Sequence, residues 1–279
     1  MQTLGGRQFW GDVAHFRGWR IQRNVFTGHY RLLDGGDRRH ASGSLELCQA
    51  ALEQVRRQAA PPHVVRGVLL VHGILRSSKS LSRLGKHLSE AGWPVVPFDY
   101  PSSQISVLEA AEYLHSVVRS LDEYAELNFV CHSLGGLVLR AWSAAHDDSR
   151  VKRAVLLGTP NRGAEMADLL RKNFLFRAVF GPAGQELVTD PQGLIPQLPP
   201  PKCEFGIIAG ARGTPDGWNP LIPGDDDGTV SVDSTRLDGA ADFLTVRALH
   251  LGLLYSEEVA RQVVAFLESG RFAIAPSPG

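Results

Sequence analysis

From about residue 64 onward, short apolar runs alternate with segments of helical periodicity, and this alternation limits the fold more than any other feature of the chain. The runs lie at residues 67–71, 94–98, 128–131, 153–157, 205–209 and 243–248. Gly67-Val68-Leu69-Leu70-Val71 is apolar nearly throughout, as expected of a strand buried on both faces. Between the runs, Leu81, Leu84, Leu88 and Ala91, then Val107 to Leu121, then Leu137 to Ala145 follow helical spacing. Val259, Val263, Ala265, Phe266 and Leu267 close the pattern. Such alternation predicts an α/β protein with a mostly parallel central sheet and helices on both faces. In open sheets of this kind ligands bind outside the carboxyl ends of the strands. Ile74, Ser133, Thr159, Asp227 and His250 all fall at such ends.

One of these ends carries a distinctive turn. Leu127-Asn128-Phe129-Val130 reads as a buried strand and Leu137 to Trp142 as a buried helix, with Cys131-His132-Ser133-Leu134-Gly135 between them. A serine on a sharp strand-to-helix turn has its hydroxyl pushed out of the sheet; the alternative is a serine capping a helix N-terminus. Gly135 allows strand and helix to approach closely, whereas Cys131 stands where glycine is usual. Serine turns of this type take their acid and their histidine later in the chain. Only His146 and His250 follow Ser133, and His146 ends the helix on the wrong side of the sheet. His250 follows a strand-like run and is the candidate.

The acid is drawn from Gly224-Asp225-Asp226-Asp227-Gly228, where three adjacent carboxylates share one loop. Asp227 is favoured because Gly228 lets the chain fold back beside it; Asp226 and Asp233 are the alternatives. The same carboxylates could form a solvated acidic turn or hold a hard cation such as calcium, although no second ligand cluster accompanies them. Upstream, the run 67–71 ends in His72-Gly73-Ile74-Leu75, and the backbone N–H of Ile74, paired with that of Leu134, could receive a developing negative charge. His72 is expected to be satisfied by backbone groups. Leu75, His132, Thr159 and Leu251 are expected to contact substrate, and Phe174, Phe176, Leu194, Ile195, Trp218 and Leu221 to line a pocket with Leu251 or to be core.

Together these pieces resemble the lipase and esterase branch of the α/β-hydrolase superfamily over roughly residues 64 to 269. The most specific elements are His72-Gly73, His132-Ser133-Leu134-Gly135-Gly136, Asp227-Gly228-Thr229-Val230 and His250, with Leu157-Gly158-Thr159-Pro160-Asn161-Arg162-Gly163 as a further likeness. The resemblance implies Ser133 as nucleophile, His250 as general base and Asp227 as the residue orienting it. It also implies carboxylic ester hydrolysis through an acyl-serine, without metal or organic cofactor. An acyltransferase or thioesterase would use the same residues, and a non-catalytic binding protein could keep the fold.

Two regions depart from the alternation. Met166, Leu169, Leu170, Phe174, Phe176, Val179 and Phe180 form an apolar helix-like segment, and Pro199-Pro200-Pro201 ends the stretch. Residues 164–202 therefore read as a cap insertion in a hydrolase domain spanning 61–279, either a mobile lid or a fixed packed helix. Residues 1–60 read as a small accessory module: strands at 19–23 and 29–33 form a hairpin, and a helix bearing Leu45, Cys48, Leu52 and Val55 begins near Ser42 or Ser44. Ala59-Ala60-Pro61-Pro62 reads as a linker. Nine arginines and five acidic residues give this region a formal charge of +4, read as a solvated face more readily than as a nucleic-acid or anionic-membrane surface.

Composition frames the site. With 279 residues, 43% hydrophobic content and zero formal charge, the chain can bury a large core. Met1 to Arg7 lack the apolar stretch of a secretory signal, no run approaches membrane-spanning length, and Cys48, Cys131 and Cys203 suggest no disulfide framework. These readings favour the cytoplasm and a small-molecule or lipid ester as partner, with transient membrane-surface contact open and no nucleic acid expected.

Overall fold

A computed structural model describes residues 7–60 and 66–273. Pro61 and Pro62 of the expected linker, and the first six residues of the chain, lie outside these limits. The central sheet is built from β5 (Arg66–Val71), β6 (Val95–Phe98), β7 (Glu126–His132), β8 (Val151–Leu157), β9 (Glu204–Ala211) and β10 (Asp242–Arg247). Its order is β10-β9-β8-β7-β5-β6, with every pairing parallel. All six apolar runs of the sequence are strands of this sheet. β5 and β7 are buried almost throughout, as the continuous apolar runs require. Pro97 is tolerated because β6 is an edge strand, where the missing N–H breaks no ladder bond on the open side.

Helices cover both faces. One face packs α3 (Val107–Ser120) and α4 (Leu134–Ala145) against the sheet, with Leu114, Leu137, Trp142 and Phe129 in one buried cluster. The other packs α2 (Ser82–Glu90) and α9 (Glu257–Ser269), with Leu84, Leu88, Val263 and Phe266 in a second. Each fully buried Leu, Val or Phe side chain contributes roughly 1.5–3 kcal/mol, so the two layers hold the sheet rigid beneath its loops. α3 is entered through a reciprocal cap, in which the Ser106 hydroxyl accepts from the Glu109 N–H and the Glu109 carboxylate accepts from the Ser106 N–H. After β5 the chain crosses to β6 and then returns to β7 on the other side of β5. The crevice where the winding reverses thus lies between the ends of β5 and β7.

The N-terminal region differs from its expected hairpin. β1 (Trp10–Phe16), β2 (Trp19–Asn24), β3 (Tyr30–Leu33) and β4 (Arg39–Gly43) form a separate four-stranded antiparallel sheet, followed by α1 (Leu45–Gln58). β1 escapes the alternation rule because a bulge between Asp12 and Ala14 shifts its register and because it buries Asp12 and His15. β4 is short and largely polar. Ser44 caps α1 as expected, accepting from Leu47 N–H, and Phe16, Ile21, Leu32, Cys48 and Leu52 form the buried cluster between sheet and helix. Several of the basic charges are already engaged: Arg20 bonds Asp37, Arg56 pairs with Asp122 at 2.8 Å, and Arg31 lies 3.9 Å over the Trp10 ring.

Residues 164–202 contain α5 (Glu165–Leu170), α6 (Phe174–Gln185), kinked at Gly181, and α7 (Leu194–Gln197), and the short α8 (Val232–Thr235) lies between β9 and β10. Their far end is held by a buried cation. The Arg140 guanidinium of α4 donates to the backbone oxygens of Asn161 (2.9 Å), Ile195 (3.1 Å), Leu198 and Pro199 (3.2 Å). Burial pushes it down to about 10, which leaves it charged at neutral pH. Replacing Arg140 with Met strands these oxygens without donors, and the urea midpoint is expected to fall by the equivalent of about 3 kcal/mol.

Candidate active site

The turn after β7 has the geometry the sequence suggests. Ser133 sits at φ 54°, ψ −124°, a conformation that costs a non-glycine residue about 1–3 kcal/mol. Close packing enforces it. A Cβ on Gly135 would lie 2.5 Å from the Val71 oxygen and 2.9 Å from that of His72, and one on Gly136 would collide with Thr159 Oγ1. The approach of α4 to the end of β5 therefore needs glycine at 135, and its approach to the loop after β8 needs glycine at 136. Cys131, fully buried in the cluster beneath, fits without displacing the turn. Gly135→Ala is expected to destabilise the protein by about 1–3 kcal/mol and to lower its thermal midpoint.

Three loops bring distant residues to Ser133. After β9, Asp227 is buried and its Oδ1 accepts from the N–H groups of Thr229 (3.0 Å) and Val230 (2.8 Å). Its Oδ2 lies 2.6 Å from His250 Nδ1, and its backbone oxygen accepts from His250 N–H at 2.8 Å. His250, in the loop after β10, is thus held twice by one residue. A carboxylate on Nδ1 fixes the tautomer that leaves Nε2 free to accept a proton. His250 and Ser133 open onto one cavity of about 370 Å³ at the β5/β7 crevice. No hydrogen bond joins the Ser133 hydroxyl to the ring among the described residues; such bonds are often long before substrate binds.

The neighbouring carboxylates diverge. Asp225 accepts from the amides of Arg212 and Gly213, and Asp226 from those of Asn219 and Gly228. Asp233, 89% exposed in its side chain, pairs with Arg236. None of the three meets His250; of these neighbouring carboxylates it is Asp227 that does. Asp225, Asp226 and Asp227 are each engaged by their own amides, and no group of three metal-binding side chains converges among the described residues.

The turn after β5 faces Ser133 from the other side. His72 is buried; its Nδ1 lies 2.8 Å from the Gly73 oxygen and its Nε2 3.3 Å from Tyr100 N–H. Burial lowers its basicity, which suits the neutral ring that this pair of partners defines. Ile74 and Leu75 follow, Leu75 at φ 57°. Among the described residues the amides of Ile74 and Leu134 donate to no protein acceptor. Leu134 also opens α4, whose N-terminal dipole favours negative charge nearby.

The expected contact residues divide. Leu75, His132 and Leu251 line the cavity. His132 Nε2 lies 3.1 Å from the His250 backbone oxygen, so it also props the His250 loop, and burial keeps its ring neutral. Thr159 does not reach the cavity: it is fully buried beneath Gly136, and Pro160 takes the wall position instead. Of the apolar pocket candidates only Phe176 and Leu251 line the cavity. Ile195 is core, Leu194 packs on that core, and Phe174, Trp218 and Leu221 are exposed. Met166, Leu170 and Phe180 complete the apolar wall with Phe176. The opposite face of the same helices, Leu169, Phe174, Leu175 and Val179, is exposed. Arg76, at the cavity edge, was legible only as part of a polar loop. His146 stacks on His115 and pairs with Glu112, at the far end of α4 from Ser133.

A family model described as a domain of unknown function (DUF7379) matches residues 43–193, a span that includes Ser133 but neither Asp227 nor His250. The fold is similar to the mature form of the lipase BlEst2 from Bacillus licheniformis, with TM-score 0.58 and 19% identity, covering 76% of this chain and 95% of that one. It is also similar to the metagenomic carboxyl esterase MGS0156, with TM-score 0.51 and 17% identity, covering 67% and 64% of the two chains. At these identities the likeness is one of fold, and the fold is that of the α/β-hydrolases. No curated protein matches the sequence.

Proposed function

This chain belongs to the DUF7379 family, and from the geometry of its own site we propose that it is a serine hydrolase of carboxylic esters. One observation carries the reading: His250, paired with Asp227 at 2.6 Å, shares a cavity with a serine held in a strained turn. His250 Nε2 takes the Ser133 proton as Oγ attacks the acyl carbonyl. Asp227 holds the ring and stabilises the imidazolium. The carbonyl oxygen, now negative, is received by the amides of Ile74 and Leu134, each of which supplies roughly 3–4 kcal/mol in comparable sites. His250 returns the proton to the leaving alcohol, and water then attacks the acyl-serine with His250 again as base.

The apolar wall of Met166, Leu170, Phe176 and Phe180 supports an acyl chain as the group bound, with residues 164–202 acting as a cap over it. The exposed face of Leu169, Phe174, Leu175 and Val179 supports contact with an ester-bearing lipid surface. No helix among the described residues is long and apolar enough to cross a membrane. A fluorophosphonate probe is expected to label Ser133, with peptide mapping as the check and a p-nitrophenyl ester series of increasing acyl length to define the pocket. A folded protein that neither reacts nor turns over any ester in the series overturns the proposal.

A further inference from the structure

The N-terminal sheet reaches the turn that carries Ile74 by two routes. From the short 3-10 turn Arg7–Phe9, Gln8 Nε2 donates to the Arg76 oxygen at 2.6 Å, while its Oε1 accepts from the hydroxyls of Ser102 and Ser103. From β1, Asp12 forms a two-way clamp on Asp99: its N–H donates to the Asp99 oxygen and its Oδ2 accepts from the Asp99 N–H, both at 2.8 Å. Asp99 in turn accepts from the N–H (2.6 Å) and hydroxyl (2.9 Å) of Ser78, the residue that closes the turn. The next residue, Tyr100, holds the other end: its hydroxyl donates to the His72 oxygen at 2.7 Å and its N–H to the His72 ring. Residues 72–78 are therefore pinned at both ends by Asp99-Tyr100 and in the middle by Gln8. Between these pins Leu75 is in a left-handed conformation, which a flexible loop would relax.

We propose that Gln8 and Asp12 are positioning residues for the Ile74 amide, so that the N-terminal sheet is part of the machinery receiving the oxyanion. The inference rests on the hydrolase reading above. Misplacing a preorganised donor by a fraction of an ångström weakens it most in the transition state. Binding of the ester is largely unaffected, because neither residue lines the cavity. What Asp99 requires from Asp12 is an acceptor oxygen. Burial, together with the nearby Asp99 carboxylate, pushes the Asp12 carboxyl up to about 7 against the opposing pull of Arg20. Gln22 Nε2 fills the second oxygen at 2.8 Å.

The test compares Gln8→Ala, Asp12→Ala and Asp12→Asn with the wild type, using ester kinetics and an alkyl trifluoromethyl ketone, which adds to a serine to give a tetrahedral oxyanion. Both alanine variants are expected to lower kcat by about tenfold to a hundredfold with KM nearly constant, and to weaken the ketone by a similar factor. Asp12→Asn keeps one acceptor for Asp99 but turns an NH₂ toward Gln22 Nε2, so it is expected to recover only part of the loss. Should Asp12→Ala not fold, Gln8→Ala carries the comparison. Alanine variants with unchanged kcat and ketone affinity, alongside a wild-type adduct on Ser133, overturn the positioning role alone. A wild type that forms no adduct and hydrolyses no ester overturns the hydrolase reading and this inference with it.

Discussion

Ser133→Ala is expected to lower ester turnover by about a million-fold, the loss seen when a nucleophile is removed from comparable sites. The remaining groups cannot replace it. Without Oγ there is no acyl intermediate, and only the amides of Ile74 and Leu134 and the binding wall are left to act on a water molecule. The same variant should keep its stability. The Ser133 hydroxyl makes no hydrogen bond to His250, and alanine can occupy the strained turn that Gly135 and Gly136 impose. Single-turnover kinetics with a p-nitrophenyl ester, a urea titration and loss of fluorophosphonate labelling check the three consequences together. A folded Ser133→Ala protein with near wild-type turnover would remove Ser133 from its role.

Asp227→Asn is expected to lower kcat by about ten-thousand-fold with little change in KM. The carboxylate meets only donors: His250 Nδ1–H on one oxygen, and the amides of Thr229 and Val230 on the other. A carboxamide has a single acceptor oxygen. If that oxygen keeps the two amides, its NH₂ faces His250 Nδ1 and selects the tautomer whose Nε2 carries a proton and cannot act as base. Asp227 lies behind His250 and does not line the cavity, so substrate binding is spared. Steady-state kinetics separate kcat from KM. An Asn variant that loses affinity while keeping turnover would assign Asp227 to binding.

How much of this was legible in one dimension varies with the kind of force involved. Burial on both faces forces a strand to be apolar along its whole length, so β5, β7 and β8 announce themselves as runs. Helix periodicity marked α3, α4 and α9 for a similar reason. The antiparallel β1 and β4 gave no such signal, because β1 buries Asp12 and His15 across a bulge and β4 is polar. Three adjacent carboxylates look alike in the sequence; in the structure each has its own set of amides, and Asp227 is the one that meets His250. Thr159 stands at a strand end, as the rule for open sheets favours, yet it is sealed beneath Gly136.

By itself the sequence determined the layered α/β architecture and the sharp turn at Ser133. These follow from local constraints: side-chain period, glycine spacing and turn chemistry act over a few residues. The pairing of Asp227 with His250, the choice of Met166, Leu170, Phe176 and Phe180 as cavity wall, and the bracing of the Ile74 turn by Gln8 and Asp12 were decided only in three dimensions. Those contacts join residues far apart along the chain. Which side chain points inward there depends on how whole layers pack, and no short-range pattern encodes it.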